Sequence, residues 1–251
     1  MPKKASVIKK SDLQKKTSKP KSIGDALKYP FKKVSRLFHF WWLFIPIIIV
    51  YGLFIISLGF EAFVMQQISL QQEFKFGGII WFYIVMLFVS SPLMGYIREI
   101  NYNLLNKKDS EVPPFNNFWR ITKSGFMFNI YTIILYLIFF VLGLLFSQIP
   151  VIGPVLQILL FIYFILVGIM LTLNYIKTDN LTEGFNLKLV HKAVFNNLGD
   201  YIVTLLKTIV VGIVLIVCSI LIITLLVTIP AMQYTGYYLF ADFYNRKVKT
   251  S

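Results

Sequence analysis

Long uncharged stretches separated by short charged ones dominate this chain. Residues 37–60 are 24 positions without Asp, Glu, Lys or Arg, and residues 76–97 are 22 more. An apolar run of about 18 or more residues can cross the roughly 30 Å hydrocarbon core of a bilayer as a helix, so each predicts one span. Residues 124–176 form 53 uncharged positions. At 1.5 Å per residue a single helix over that run would reach about 80 Å, so the chain must reverse within it. Two prolines and a glycine in the segment Ser147-Gln148-Ile149-Pro150-Val151-Ile152-Gly153-Pro154 mark the reversal. Residues 208–241 add 34 uncharged positions. That is about 50 Å of helix, too long for one span and tight for two, so length alone leaves five or six spans open.

Charge decides between them, because short cytoplasmic loops collect Lys and Arg. With six spans, 24 of the 25 Lys and Arg fall on one side and only Lys75 on the other. With five, Arg246, Lys247 and Lys249 would have to be translocated. The expectation is therefore an all-α integral membrane protein of six transmembrane helices, at about 38–60, 77–97, 124–147, 152–175, 201–222 and 227–245. They would pair as three hairpins in the cell membrane, with both termini cytoplasmic. Trp41, Trp42, Trp81, Tyr83 and Trp119 fall near the ends of these runs, where amphipathic rings favour headgroup depth.

Composition supports this and adds one constraint. Of 251 residues, 57% are apolar or aromatic and only 14% charged, which excludes an ordinary soluble domain, yet the net charge is +14. Much of that charge lies in residues 1–22, where Lys3, Lys4, Lys9, Lys10, Lys15, Lys16, Lys19 and Lys21 accompany a single Asp12. Such a segment cannot bury a core and reads as a disordered cytoplasmic tail whose lysines contact anionic headgroups. A docking arm for RNA or an acidic partner is the other reading; without interleaved aromatics, nucleic acid is not the expected partner. Residues 23–247 would form the membrane domain and 248–251 a short C-terminal tail. The charged region is too long, and the first apolar run too complete, for a cleavable signal peptide. Cys218 is the one cysteine, so neither a disulfide within the chain nor a cysteine metal cluster can form.

Three hexapeptides read alike: Phe31-Lys32-Lys33-Val34-Ser35-Arg36, Phe115-Asn116-Asn117-Phe118-Trp119-Arg120 and Phe195-Asn196-Asn197-Leu198-Gly199-Asp200. Each precedes a pair of apolar runs, as in an internal repeat of interfacial segment plus hairpin. In the third unit Asn186 can cap a helix whose Leu187, Val190, Val194 and Leu198 form an apolar stripe, with Lys188 and Lys192 on other faces. That pattern suits an amphipathic helix on the cytoplasmic membrane surface, packing of the stripe on neighbouring loops being the lesser alternative. Gly199 would close it in a left-handed conformation, and Asp200 would cap the fifth span.

The run Gly95-Tyr96-Ile97-Arg98, followed by Pro113-Pro114-Phe115, Trp119 and Gly125, resembles a family of prokaryotic multi-pass membrane proteins, domain of unknown function (DUF) 4013. Asp25-Ala26-Leu27-Lys28-Tyr29-Pro30-Phe31 and Phe185-Asn186-Leu187 also look like family features, so coverage would extend from about Ser22 to Arg246. Arg98 follows Tyr96 one position closer than the family pattern, and acidic residues would be expected where Pro114 and Ser124 stand. The resemblance implies a membrane fold and carries no activity.

Little in the chain suits catalysis. No ionisable residue stands in the middle of a run; Glu61, Arg98, Glu99, Lys207 and Asp242 all fall at ends, where snorkelling explains them. His39 and His191 have no companion ligands at metal spacing, and phosphate-loop, dinucleotide and hydrolase motifs are lacking. Neither catalytic nor metal residues are expected, and no cofactor. Should Asp242 lie deeper, Lys207 or Arg98 would be its partner. Hydroxyls and amides such as Asn129, Gln157, Thr172, Asn174 and Gln233 usually join helices; Gln157, Asn174 and Gln233 are also the candidates for a polar path. The leading expectation is a non-enzymatic scaffold or accessory to other membrane components, with a membrane protein as partner. The alternative is a permease-like protein for a neutral or amphipathic solute.

Overall fold

The computed structural model describes residues 20–68, 76–106, 111–220 and 222–248, and these are helical with no strand among them. Lys3, Lys4, Lys9, Lys10, Lys15, Lys16 and Lys19 lie outside the described residues. The chain opens with α1 (Ile23–Lys28), whose cap Ser22 and Asp25 bond reciprocally, and a 3₁₀ segment (Pro30–Arg36). The long helices follow: α2 (Leu37–Ile68), α3 (Phe76–Leu105), α4 (Phe118–Ser147) and α5 (Gly153–Thr178). Two short helices, α6 (Leu181–Gly184) and α7 (Leu187–Phe195), lead to α8 (Leu198–Cys218), α9 (Ile222–Thr235) and α10 (Tyr238–Lys247).

Among the described residues, five helical stretches are long and apolar enough to cross a membrane, comprising α4, α5, α8 and most of α2 and α3. The last expected span, 227–245, is instead divided between α9 and α10 by a break at Gly236-Tyr237. At 14 residues, α9 reaches about 21 Å, short of the hydrocarbon core. The reversal between α4 and α5 falls at residues 148–152, where Val151 takes a left-handed φ of 65° and Gly153 presses on the Phe146 carbonyl.

Burial is uneven along the bundle. The core gathers where the C-terminal halves of α3 and α5 meet the beginnings of α4 and α8, under α7 and α10; Tyr96, Ile100, Ile121, Tyr131, Met170, Val190, Tyr201 and Phe243 are all buried there. Toward the other end the long helices present Ile49, Leu53, Ile80, Phe140, Leu145 and Ile158 outward. Lipid gives apolar helices little reason to adhere, so close backbone approach and hydrogen bonds must join them. Asn129 of α4 provides one such tie. It donates to the Leu87 carbonyl at 3.2 Å and to Ser90 at 3.0 Å, beside the gap that Pro92 leaves in the α3 ladder.

The segments expected at the membrane surface differ from the expectation in detail. Asn186 does cap α7, accepting from the Leu189 amide, and α7 buries Val190, Ala193 and Val194, but Leu187 is exposed. Gly199 is not left-handed: Asn197 separates the helices, so Gly199 and Asp200 stand in the first turn of α8, and Asp200 pairs with Lys247 at 2.6 Å. The three similar hexapeptides also take three conformations: a 3₁₀ segment, an irregular run with a left-handed Asn117 leading into α4, and the joint between α7 and α8.

Candidate functional site

Two places hold the candidate residues: a tightly tied cluster around the α3–α4 crossing and an apolar cavity beside it. At the crossing, Gly95 and Gly125 let the two backbones touch. A Cβ on Gly95 would lie 2.0 Å from the Ile121 carbonyl oxygen, and one on Gly125 would lie 1.9 Å from that of Ser91. One residue on, the Tyr96 hydroxyl donates to the Pro113 carbonyl at 2.9 Å while its ring meets Phe115 edge-on at 5.6 Å. The loop is therefore anchored on α3 before α4 begins. Arg98 is enclosed by three elements. Its guanidinium donates to Ser124 of α4 and to the carboxylate of Asp179 after α5, and lies 5.8 Å over the Tyr175 ring. Its Nε is buried without a hydrogen-bond partner among the described residues.

Gly95, Tyr96, Arg98, Pro113, Phe115 and Gly125 thus converge on one structural joint. Pro30 is buried in the 3₁₀ segment; Phe31 and Trp119 point outward, Trp119 being 79% exposed. Asp242 meets neither Lys207 nor Arg98. It accepts from Arg246 at 3.0 Å and from the Lys21 backbone amide at 3.2 Å. The Lys21 ammonium, expected among lipid headgroups, stands 4.4 Å over the Tyr238 ring.

The polar-path candidates are not brought together. Gln157 donates to the Gly143 carbonyl at 3.0 Å, joining α5 to α4 near their reversal. Asn174 donates to the Glu183 carbonyl and accepts from the Tyr244 hydroxyl at 2.5 Å, which fastens α10 and α6 to α5. Gln233 alone lines the cavity, a space of about 510 Å³ between α3, α4, α5 and the α9–α10 break. Its walls include Leu135, Phe161, Phe164 and Ile165, and Tyr136 and Tyr237 line it together with Gln233. Apolar clefts of this size with a few polar groups are the usual form of small-molecule sites.

Sequence reasoning missed Asp179, Tyr131, Tyr175 and Gly184. Tyr131 stacks on Tyr175 at 4.1 Å and donates to the Gly184 carbonyl at 3.1 Å; a Cβ on Gly184 would come within 2.9 Å of the Tyr131 ring. Gly184 could have been suspected as a site of close approach, but no local spacing links Asp179 to an arginine 81 residues earlier.

Long apolar helices tied at one end by polar contacts define an integral membrane protein of the multi-helix class. The model of the family described as protein of unknown function (DUF4013) matches residues 76–224, more than half of the chain, and the chain belongs to that family. The match runs from the start of α3 into α9 and contains the whole Gly95–Gly125 joint; the expected coverage of about Ser22 to Arg246 was wider. No curated protein and no solved structure matches the chain.

Proposed function

We propose that this protein is a non-enzymatic membrane scaffold or accessory protein, whose rigid end orients helices that offer apolar surface to other membrane components. One observation supports the reading above the rest. The buried polar side chains Arg98, Asn129 and Asn174 are engaged in joining helices, whereas the far halves of α2, α3, α4 and α5 leave large Ile, Leu and Phe side chains uncovered. An arrangement stiff at one end and open at the other suits lateral association. In this reading the chain lies in the cell membrane with its tied end and both termini cytoplasmic, and its lysine-rich tail meets anionic headgroups. It crosses six times as three hairpins, the sixth crossing being made by α9 and α10 in series. The internal repeat is one of placement, each hexapeptide directly preceding or opening a long helix. Helix α7 rests on the cytoplasmic surface with Lys188 and Lys192 exposed.

Purification of the full chain from native membranes in mild detergent tests the assignment. A stoichiometric membrane-protein partner is expected, and repeated recovery of the chain alone overturns it. Reporter fusions after residues 151 and 251 test the topology separately: an external signal at the first and a cytoplasmic one at the second are expected, and an external C-terminus rejects six crossings. The cavity favours a second reading, a permease-like protein for a neutral or amphipathic solute. That reading requires Gln233 substitution to change uptake or resistance at unchanged abundance, and unaltered flux for every solute tested discards it.

A further inference from the structure

The cavity lies beside the break that divides the final apolar stretch. Gln233 lies in the last turn of α9 and Tyr237 stands in the break before α10, and both line the space that α3, α4 and α5 border from the other side. Its hydrogen-bonding groups fall into two kinds. Thr132 and Thr172 are already satisfied within their own helices, donating to the Phe128 and Gly168 carbonyls at 2.8 and 2.9 Å. The Gln233 amide and the Tyr136 and Tyr237 hydroxyls have no hydrogen bond to any described residue, although all three line the same space. At hydrocarbon depth such groups are costly unless they meet a partner.

We infer that this cavity binds a neutral single-chain amphipath taken from the bilayer. The hydrocarbon chain lies along Phe161, Phe164 and Ile165, and an uncharged hydroxyl or ester head meets Gln233, Tyr136 and Tyr237. Three features select this class. Among the described residues no Lys, Arg, Asp or Glu lines the space, so an ionised phosphate or carboxylate would lose its hydration without gaining a counter-charge. The wall on α5 runs from Phe161 to Thr172, about 16 Å of helix and close to half the hydrocarbon thickness, the reach of a chain from one leaflet. Phe161 and Tyr136 are 64% and 58% exposed, which opens the space sideways toward lipid. The inference needs the membrane fold but not the scaffold role, and its test is independent of partner recovery.

The test uses the full chain in phosphatidylcholine nanodiscs with a long-chain alcohol carrying a mid-chain diazirine. After illumination, labelled peptides are identified by mass spectrometry. Labelling is expected to concentrate on residues 161–172 and 233–237, and excess unlabelled monoacylglycerol should reduce it about tenfold, as a saturable site requires. The ionised fatty acid of equal length should compete at least about tenfold more weakly. Gln233→Leu should lower site labelling about fivefold while leaving the background on α2 unchanged. Labelling spread evenly over α2 and α4, or insensitive to monoacylglycerol, overturns the site. Equal competition by the ionised fatty acid overturns the uncharged head. Should Gln233→Leu fail to accumulate, the competition measurements on the unaltered chain still decide.

Discussion

Gly95 and Gly125 face one another where α3 crosses α4, with the Gly95 amide nitrogen 2.4 Å from the place a Gly125 Cβ would occupy. The atoms in the way are backbone, which cannot swing aside as a side chain would. Ser91 and Gly95, four residues apart, form a small-residue step on α3 that admits the other helix, and at this separation Cα–H groups can contact carbonyl oxygens.

Gly125→Ala should therefore force the helices apart and cost about 3 kcal/mol, within the range for steric overpacking of a core. Gly143→Ala on the same helix is the control: its Cβ would meet nothing within 4 Å. Thermal unfolding in one detergent should show a large loss for the first and little change for the second. Equal melting of both variants would mean that the two backbones do not touch at the crossing.

Arg98 and Asp179 are unequal partners. The arginine side chain is 11% exposed and the aspartate 70%, so one end of the pair is enclosed and the other is in water. Losing the carboxylate strands an enclosed cation that keeps only Ser124 and the face of the Tyr175 ring, whereas losing the arginine leaves a hydrated carboxylate and removes an unsatisfied Nε. Asp179→Asn, which keeps a residue tolerant of the left-handed φ of 53° at that position, should cost about 1–2 kcal/mol. Arg98→Met should cost about 1 kcal/mol or less, and the double variant no more than Arg98→Met alone. A cycle of denaturation measurements checks the order; a costlier Arg98→Met contradicts it.

The long helices were legible because charges bracket their apolar runs, and the α4–α5 reversal because Pro150, Gly153 and Pro154 interrupt one. What ends a helix without a charge or a proline was not. The break at Gly236-Tyr237 lies inside an uncharged run that continues to Ala241, so hydropathy passes over it. Helix α3 likewise continues through Arg98 and Glu99 to Leu105, since a helix that packs on loops and on α10 need not stop at the bilayer surface. The resemblance picked out Gly95, Tyr96, Arg98 and Gly125, but their shared task depends on Asp179 and Tyr175, and helix periodicity carries no information about partners so distant in sequence. Gln157, Asn174 and Gln233 were chosen alike as polar residues in apolar runs. Only the fold separates two that fasten helices from one that faces a cavity.

Val151 carries a strained backbone at the α4–α5 reversal. A β-branched residue at a φ of 65° is sterically disfavoured, and its side chain, 91% exposed, has little packing to offset the cost. Val151→Gly should raise stability by about 1 kcal/mol, the relief of strain exceeding the added freedom of the unfolded chain. Gly153→Ala should do the opposite, because its Cβ would lie 2.3 Å from the Phe146 carbonyl oxygen. Melting curves of the two variants should bracket the unaltered chain.

Glu111 ties the loop before α4 to the 3₁₀ segment, its carboxylate 2.7 Å from the Lys33 ammonium and 3.5 Å from the Arg36 guanidinium. The hydrogen bond from Lys33 holds the carboxyl below the ordinary carboxylate range, with the charges of Lys33, Arg36 and Lys32 adding to the effect. Because the folded chain binds this proton less readily than the unfolded one, the contribution to stability is complete above the ordinary pKa of about 4.3 and fades as pH falls through the lowered folded value. Glu111→Gln should therefore melt slightly below the unaltered chain at about pH 7, and the gap should close as the pH is taken to about 3. Both groups are open to solvent, so the gap at neutral pH should also narrow in about 0.5 M salt. A difference that persists unchanged at acid pH would assign the effect of the variant to packing and not to this charge pair.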